Sequence, residues 1–261
     1  MCYNFSVTKS HSRINALILA AGFGTRLKEV GQTTPKGLFF NSQELSILDL
    51  MLQSLTKQPE VEQVALVSNN RFFSQYQSHL NQNYSNQKIT ILNDGVNESE
   101  NRRGSLGDLV FALDKLEWWD KNILVLPSDR TPENIVEKII SFFSQHPESF
   151  VTCVSKEPKE NIKNKSGCAV LNDRQEIIEF EEKPAEPKSN FRGLPFYIFP
   201  QSSLKLLKSY QKNNQNMDSP GNIVPWLLQK KFPVKACITQ HSSFDIGDLE
   251  ELQQFQKEYQ F

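Results

Sequence analysis

Residues Ile14-Asn15-Ala16-Leu17-Ile18-Leu19-Ala20-Ala21-Gly22-Phe23-Gly24-Thr25-Arg26-Leu27 decide the fold. From Ile14 to Ala20 the run is nearly all apolar, the pattern of a strand buried on both faces, so it belongs in the middle of a parallel sheet. Where that strand ends, Ala20, Ala21, Gly22 and Gly24 let backbone N–H groups approach an anion. A dinucleotide-binding turn would need a third glycine where Leu27 stands, and a Walker loop would need Gly-Lys-Ser/Thr, which is missing here. The glycines by themselves also suit an ordinary tight turn.

Working outward, short aliphatic runs alternate with helical patterns: Val64–Ser68 then Phe72–Leu80, and Ile123–Leu126 then Pro132–Phe143, with a further helix over Ile47–Lys57. The alternation predicts an α/β fold, a mostly parallel central sheet with helices on both faces. From Phe150 to Phe199 the strands come closer together (Phe150–Ser155, Cys168–Leu171, Ile177–Glu181, Leu194–Phe199), which predicts a smaller antiparallel lobe. Helical patterns return over Gln201–Gln211, around Trp226–Gln229 and over Leu249–Tyr259. With 261 residues and 38% hydrophobic content, the chain reads as one domain.

Lys and Arg number 29 against 30 Asp and Glu, so neither nucleic acid nor a membrane surface is an expected partner. Cys2, Cys153, Cys168 and Cys237 lack CxxC spacing and read as reduced thiols. The apolar run Ala16 to Ala21 is too short for a signal or a membrane span, and a cytoplasmic protein is expected. His11, His79, His146 and His241 are isolated, which gives a zinc site or a histidine nucleophile little support.

Beyond the glycine turn, Thr25 and Arg26 are followed by Lys36 in Thr33-Thr34-Pro35-Lys36-Gly37. Two fixed cations beside a nest of backbone donors are what phosphoryl transfer from a triphosphate requires. Gly-Phe-Gly-Thr-Arg-Leu followed by Thr-Pro-Lys resembles the signature of the sugar-1-phosphate nucleotidylyltransferases. Further matches extend over nearly the whole chain.

The resemblance implies a Rossmann-like nucleotide part over about 14–149, an acceptor lobe over about 150–200, and a final part over about 201–261 that completes a metal site. Arg103-Gly104-Ser105-Leu106-Gly107-Asp108 is similar to the family's second glycine-bearing loop, which makes Gly104 and Ser105 base-holding candidates. They would also simply start a helix. The strand Ile123–Leu126 ends at Pro127-Ser128-Asp129, placing a carboxylate where open α/β sheets put their ligands. Mg²⁺ takes one or two carboxylates plus phosphate oxygens, and by resemblance the second acid is Asp245 in Ser243-Phe244-Asp245-Ile246-Gly247. Capping the last helix is the competing role for Asp245. Glu182-Lys183-Pro184 is similar to the element in which Glu meets sugar hydroxyls and Lys the sugar phosphate, although a solvated charged turn would look the same. Gly167 and Gly193 match positions lining the sugar pocket, and such strand glycines also mark close packing.

The activity so implied is in-line attack of a sugar 1-phosphate on the α-phosphorus of a nucleoside triphosphate, with Arg26, Lys36 and Asp129 as catalytic groups and Mg²⁺ as cofactor. Three residues depart from the pattern: Ser128 stands where a Gly is usual, Arg130 where a small polar residue is usual, and Gly37 after Lys36 where Pro or Ala is more familiar. A base-contacting Gln is also not evident upstream of Gly104, which leaves the base open. Arg130 would favour a more anionic acceptor or partner Asp129 in competition with the metal. The ending soon after Asp245, with no hexapeptide array, resembles the short, catalytic-domain-only members, so no attached acyltransferase is expected. Among the short members, those making dTDP-, UDP- or CDP-sugars are the models, with glucose-1-phosphate thymidylyltransferase-like enzymes foremost, and homo-oligomerisation stays open. A cytidylyltransferase for phosphocholine, or a nucleotide sensor without turnover, are the alternatives.

Overall fold

The computed structural model describes residues 13–213, 215–240 and 243–258. Cys2, His11, His241 and Tyr259 lie outside them. The nine strands are β1 (Ile14–Ala20), β2 (Val61–Ser68), β3 (Ile89–Asn93), β4 (Asn122–Pro127), β5 (Phe150–Lys156), β6 (Cys168–Leu171), β7 (Ile177–Glu181), β8 (Phe191–Phe199) and β9 (Val234–Thr239). The main helices are α1 (Lys28–Thr33), α2 (Ile47–Thr56), α3 (Phe73–Asn83), α4 (Ser105–Leu116), α5 (Ile135–Gln145), α6 (Lys159–Ile162), α7 (Leu204–Lys212), α8 (Ile223–Gln229) and α9 (Leu249–Glu258).

Sheet order is β3-β2-β1-β4-β8-β5-β9, with β6 paired to β7 and β8. Strand β1 lies parallel between β2 and β4, as its two-sided apolar pattern requires. β8 runs antiparallel to both β4 and β5, and β5 is parallel to β9. The region expected as an antiparallel lobe is therefore shared: β5 and most of β8 extend the central sheet, and the β6–β7 hairpin leans off it. Pro195 accounts for part of this, because it lacks an N–H for the ladder and the β5–β8 register shifts beside it, between Thr152 and Cys153.

One face of the sheet buries Leu17, Val125 and Tyr197 against α4, α7 and α8. The other buries Ile18, Leu124 and Ile198 against α2, α3 and α5. A third cluster joins Leu27, Phe39, Ile47, Leu50, Ile246, Leu252 and Phe255, so that α9 and the segment before it are seated beside the end of the glycine turn. Helix α2 starts on a reciprocal cap: Ser46 Oγ accepts from Asp49 N at 3.1 Å, and Asp49 Oδ2 accepts from Ser46 N at 2.8 Å.

Two local features bear on the carboxyl edge. Gly31 of α1 lies under the glycine turn, and a Cβ there would sit 2.2 Å from the Gly24 carbonyl oxygen. At the end of β3, buried Asp94 shares a hydrogen bond with buried Asp108 in the first turn of α4. Asp108 Oδ1 has no hydrogen-bond partner. Burial, and then the neighbouring Asp94, raise the Asp108 carboxyl from its ordinary 3.8 to about 7.

Gly31→Ala forces backbone against backbone, so it should lower stability by about 2 kcal/mol, seen as a shifted urea midpoint. An unchanged midpoint would mean that the turn is free to move. Asp108 holds its proton more tightly folded than unfolded, so its contribution to stability falls as pH rises from about 4 to about 7 and is level above. Asp108→Asn should therefore stabilise the protein by about 1–3 kcal/mol at pH 8 and by much less near pH 4.5, read by denaturation at both pH values.

Candidate active site

The carboxyl edge of the parallel strands collects the candidate residues. Ala20 and Ala21 are buried at the end of β1, and Gly22 has open space around its Cα. Gly24 adopts φ 62°, a left-handed conformation that favours glycine, and Thr25–Leu27 then make a single 3-10 turn. Asn69, buried after β2, donates through Nδ2 to the Ala21 carbonyl at 3.0 Å and accepts through Oδ1 from Phe72 N at 3.0 Å. It holds the turn against the neighbouring strand. Thr25 and Arg26 are exposed on the turn's outer side.

Lys36 reaches across from its own 3-10 turn, and its Nζ donates to Asp129 Oδ2 at 3.0 Å. Beneath it the buried Tyr76 hydroxyl is hydrogen-bonded with the Gly37 backbone and the Ser128 side chain, and burial raises its pKa. A Cβ on Gly37 would lie 2.8 Å from that hydroxyl, so this position after Lys36 has no room for a side chain. Burial pushes the Asp129 carboxyl up, but the charges of Lys36, Arg130 and Arg26 and the Lys36 hydrogen bond together outweigh it and hold the group below its ordinary value.

Asp245 is brought to this point by backbone pairing. Ile246 N donates to Asp129 O at 3.0 Å, Thr131 N donates to Phe244 O at 3.1 Å, and Arg130 faces Asp245 across the bridge. Arg130, 8% exposed, donates through Nη2 to Asp245 Oδ2 and through Nη1 to Ser243 Oγ at 3.2 Å. Its ion-pair partner is thus Asp245, not Asp129. Asp245 does not cap α9: Asp248 Oδ1 accepts from Glu250 N and Glu251 N at 3.0 Å, and Glu251 Oε2 accepts from Gly247 N at 2.7 Å. The Arg26 guanidinium lies beside Gly247, where a Cβ would be 3.3 Å from Nη1.

Among the described residues, no group of three or more His, Cys, Asp or Glu side chains is placed to hold a metal. Asp129 nonetheless has the chemistry for a hard cation. One carboxylate oxygen is taken by Lys36 while the side chain stays 32% exposed, which leaves oxygen lone pairs toward solvent. Asp245 stands next to it but is engaged by Arg130.

The other candidates are less free than their motifs imply. Ser105 N and Leu106 N, the donors at the start of α4, point to Asp218 O at 3.0 Å and Met217 O at 2.9 Å. Gly104, at φ 76°, lets this strap approach, since a Cβ would lie 2.4 Å from Met217 O. The strap continues to Ser219, which hydrogen-bonds Glu182, and burial raises the Glu182 carboxyl. Lys183 is exposed. Gly167 and Gly193 both make room for the Phe180 ring, 2.3 Å and 3.3 Å from where their Cβ atoms would be, and Gly193 N donates to Gly167 O at 2.7 Å.

Asn69, Tyr76 and the 217–219 strap were not legible as site elements. They act on backbone groups or on neighbouring side chains, and no spacing in the sequence marks them. Arg192 was also missed: its buried Nε has no hydrogen-bond partner, and it lies within electrostatic reach of Arg130.

The glucose-1-phosphate adenylyltransferase of Clostridium novyi is 26% identical over 257 residues, covering 92% of this chain and 65% of that protein. That of Fusobacterium nucleatum is 26% identical over 236 residues, covering 83% and 59%. The chain thus spans about three-fifths of the length of these relatives. A structure described as a glucose-1-phosphate thymidylyltransferase from Bacillus anthracis, bound to sucrose, superposes with a TM-score of 0.73 at 18% identity, covering 92% of this chain and 93% of that one. It establishes the shared fold. Residues 15–260 match the nucleotidyl transferase family profile from the glycine turn through Asp245, and the chain belongs to that family.

Proposed function

We propose that the chain transfers a nucleoside monophosphate from a nucleoside triphosphate to a sugar 1-phosphate, releasing pyrophosphate and forming a nucleoside-diphosphate sugar in a Mg²⁺-dependent reaction. The observation that carries this reading is the meeting of Asp129 and the neighbouring segment 244–246 beside Lys36 and Arg26, at the edge where β1 and β4 end. The curated relatives named as glucose-1-phosphate adenylyltransferases support the acceptor class.

In this mechanism the Gly22–Arg26 turn and Lys36 hold the triphosphate by backbone donors and fixed charge. Lys36, tied to Asp129, is held still before substrate arrives, so little reorganisation accompanies the reaction. Glu182 accepts from sugar hydroxyls, and Lys183 neutralises the acceptor phosphate, which aligns an oxygen of that phosphate with the α-phosphorus. When bound at Asp129, Mg²⁺ would supply charge stabilisation to the transferring group. The protein's work is positioning and charge neutralisation, with no covalent protein intermediate. Arg192, whose buried Nε has no hydrogen-bond partner, adds positive charge beyond what the phosphate of an uncharged sugar needs.

A pyrophosphate-release screen of the common nucleoside triphosphates against sugar 1-phosphates and phosphocholine, with and without Mg²⁺, tests the reading. The expected result is turnover with at least one sugar 1-phosphate that stops on chelation. Turnover with phosphocholine and with no sugar would overturn the acceptor assignment. With the active pair identified, Asp129→Asn should lower kcat by about 100-fold while changing nucleotide affinity by less than about threefold. Full turnover in Asp129→Asn would remove Asp129 from the mechanism.

A further inference from the structure

Arg130 is a cation built into the place where two acids would otherwise face a metal. It pairs with Asp245 directly across the backbone bridge, and its side chain is 9% exposed against 29% for Asp245. A second guanidinium nitrogen is held by Ser243, through Oγ at 3.2 Å and the carbonyl at 3.5 Å. The bridge fixes the register, since Asp129 O and Phe244 O each accept a backbone hydrogen bond from the opposite segment.

On the other side of the bridge, Asp129 has Lys36 as its partner and keeps a third of its surface exposed. The two acids therefore differ in availability, although the fold brings their backbones together. A divalent cation approaching Asp245 would have to displace a buried guanidinium held by three acceptors.

We infer that Arg130 withdraws Asp245 from metal coordination, so that this chain holds its divalent cation through Asp129 and the phosphates of the bound nucleotide, with Arg130 standing as a permanent second cation. The inference rests on the proposed reading for the identity of the site and deepens it by assigning the two acids different roles. Asp245 becomes a positioning residue that holds Arg130. The protein without nucleotide then binds a divalent cation weakly, because one carboxylate offers too few oxygens.

Electron paramagnetic resonance titration with Mn²⁺ as the sole added ligand tests this without reference to turnover. Arg130→Asn frees Asp245 beside Asp129 and should tighten Mn²⁺ binding by about tenfold or more. Adding Asp245→Asn to that variant should return the affinity to the starting value. In the otherwise unaltered chain, Asp245→Asn, whose amide oxygen still accepts from Arg130, should change Mn²⁺ affinity by less than about twofold, while Asp129→Asn should abolish the weak binding. The inference is overturned if Arg130→Asn, shown folded by circular dichroism, leaves Mn²⁺ affinity unchanged. It is equally overturned if Asp245→Asn in the unaltered chain weakens Mn²⁺ binding as much as Asp129→Asn does. Failure of the pyrophosphate screen alongside the predicted Mn²⁺ pattern would refute the reaction and leave the Arg130 assignment standing.

Discussion

Two backbone hydrogen bonds, Ile246 N to Asp129 O and Thr131 N to Phe244 O, join the end of β4 to a segment more than a hundred residues later, and the candidate site exists because of them. Neither segment is a regular strand at this point. The pairing lasts because Ile246 is buried in the same cluster as Leu27, Phe39, Leu252 and Phe255, so apolar burial supplies the stability that an isolated bridge lacks. Leu27 closes the glycine turn, and Ile246 follows Asp245. One small core thus sets the distance between the glycine turn and the second acid.

At the bridge, the two neighbouring acids each have a dedicated cation. Asp129 has Lys36 and Asp245 has Arg130, while Arg26 on the exposed turn and the orphaned Nε of Arg192 keep donors in reserve. An arrangement with surplus donors suits a polyanionic ligand, because the ligand completes hydrogen bonds that the protein leaves unmade. The strap at Met217–Ser219 ties the start of α4 to Glu182 through backbone and side-chain bonds. The predicted base loop and the predicted sugar carboxylate therefore share one mechanical support.

Much of the fold was readable because burial and periodicity coincide in it. The Ile14–Ala20 run is central, and α2, α4, α5 and α7 lie where their apolar spacing places them. The strands β3 and β9 escaped notice since they sit at the two ends of the sheet. There Thr90 and Lys235 interrupt the apolar pattern, and half-burial demands less of it. Within the site, motif matches located Lys36, Asp129 and Asp245, but motifs carry no register. That Arg130 would choose Asp245 over Asp129 depends on which residues face each other across the bridge, and only the folded backbone defines that. Gly167 and Gly193 illustrate the reverse case: the structure uses both to admit the Phe180 ring.

The central claim is that the glycine turn and the 243–248 segment act as one ligand-responsive unit through the bridge to Asp129. Hydrogen exchange measured by mass spectrometry, with and without a bound nucleoside triphosphate and Mg²⁺, tests it most directly. The account predicts that added protection appears together in residues 20–28, 127–131 and 243–248. Protection confined to residues 20–28, with 243–248 exchanging as in the free protein, would contradict it.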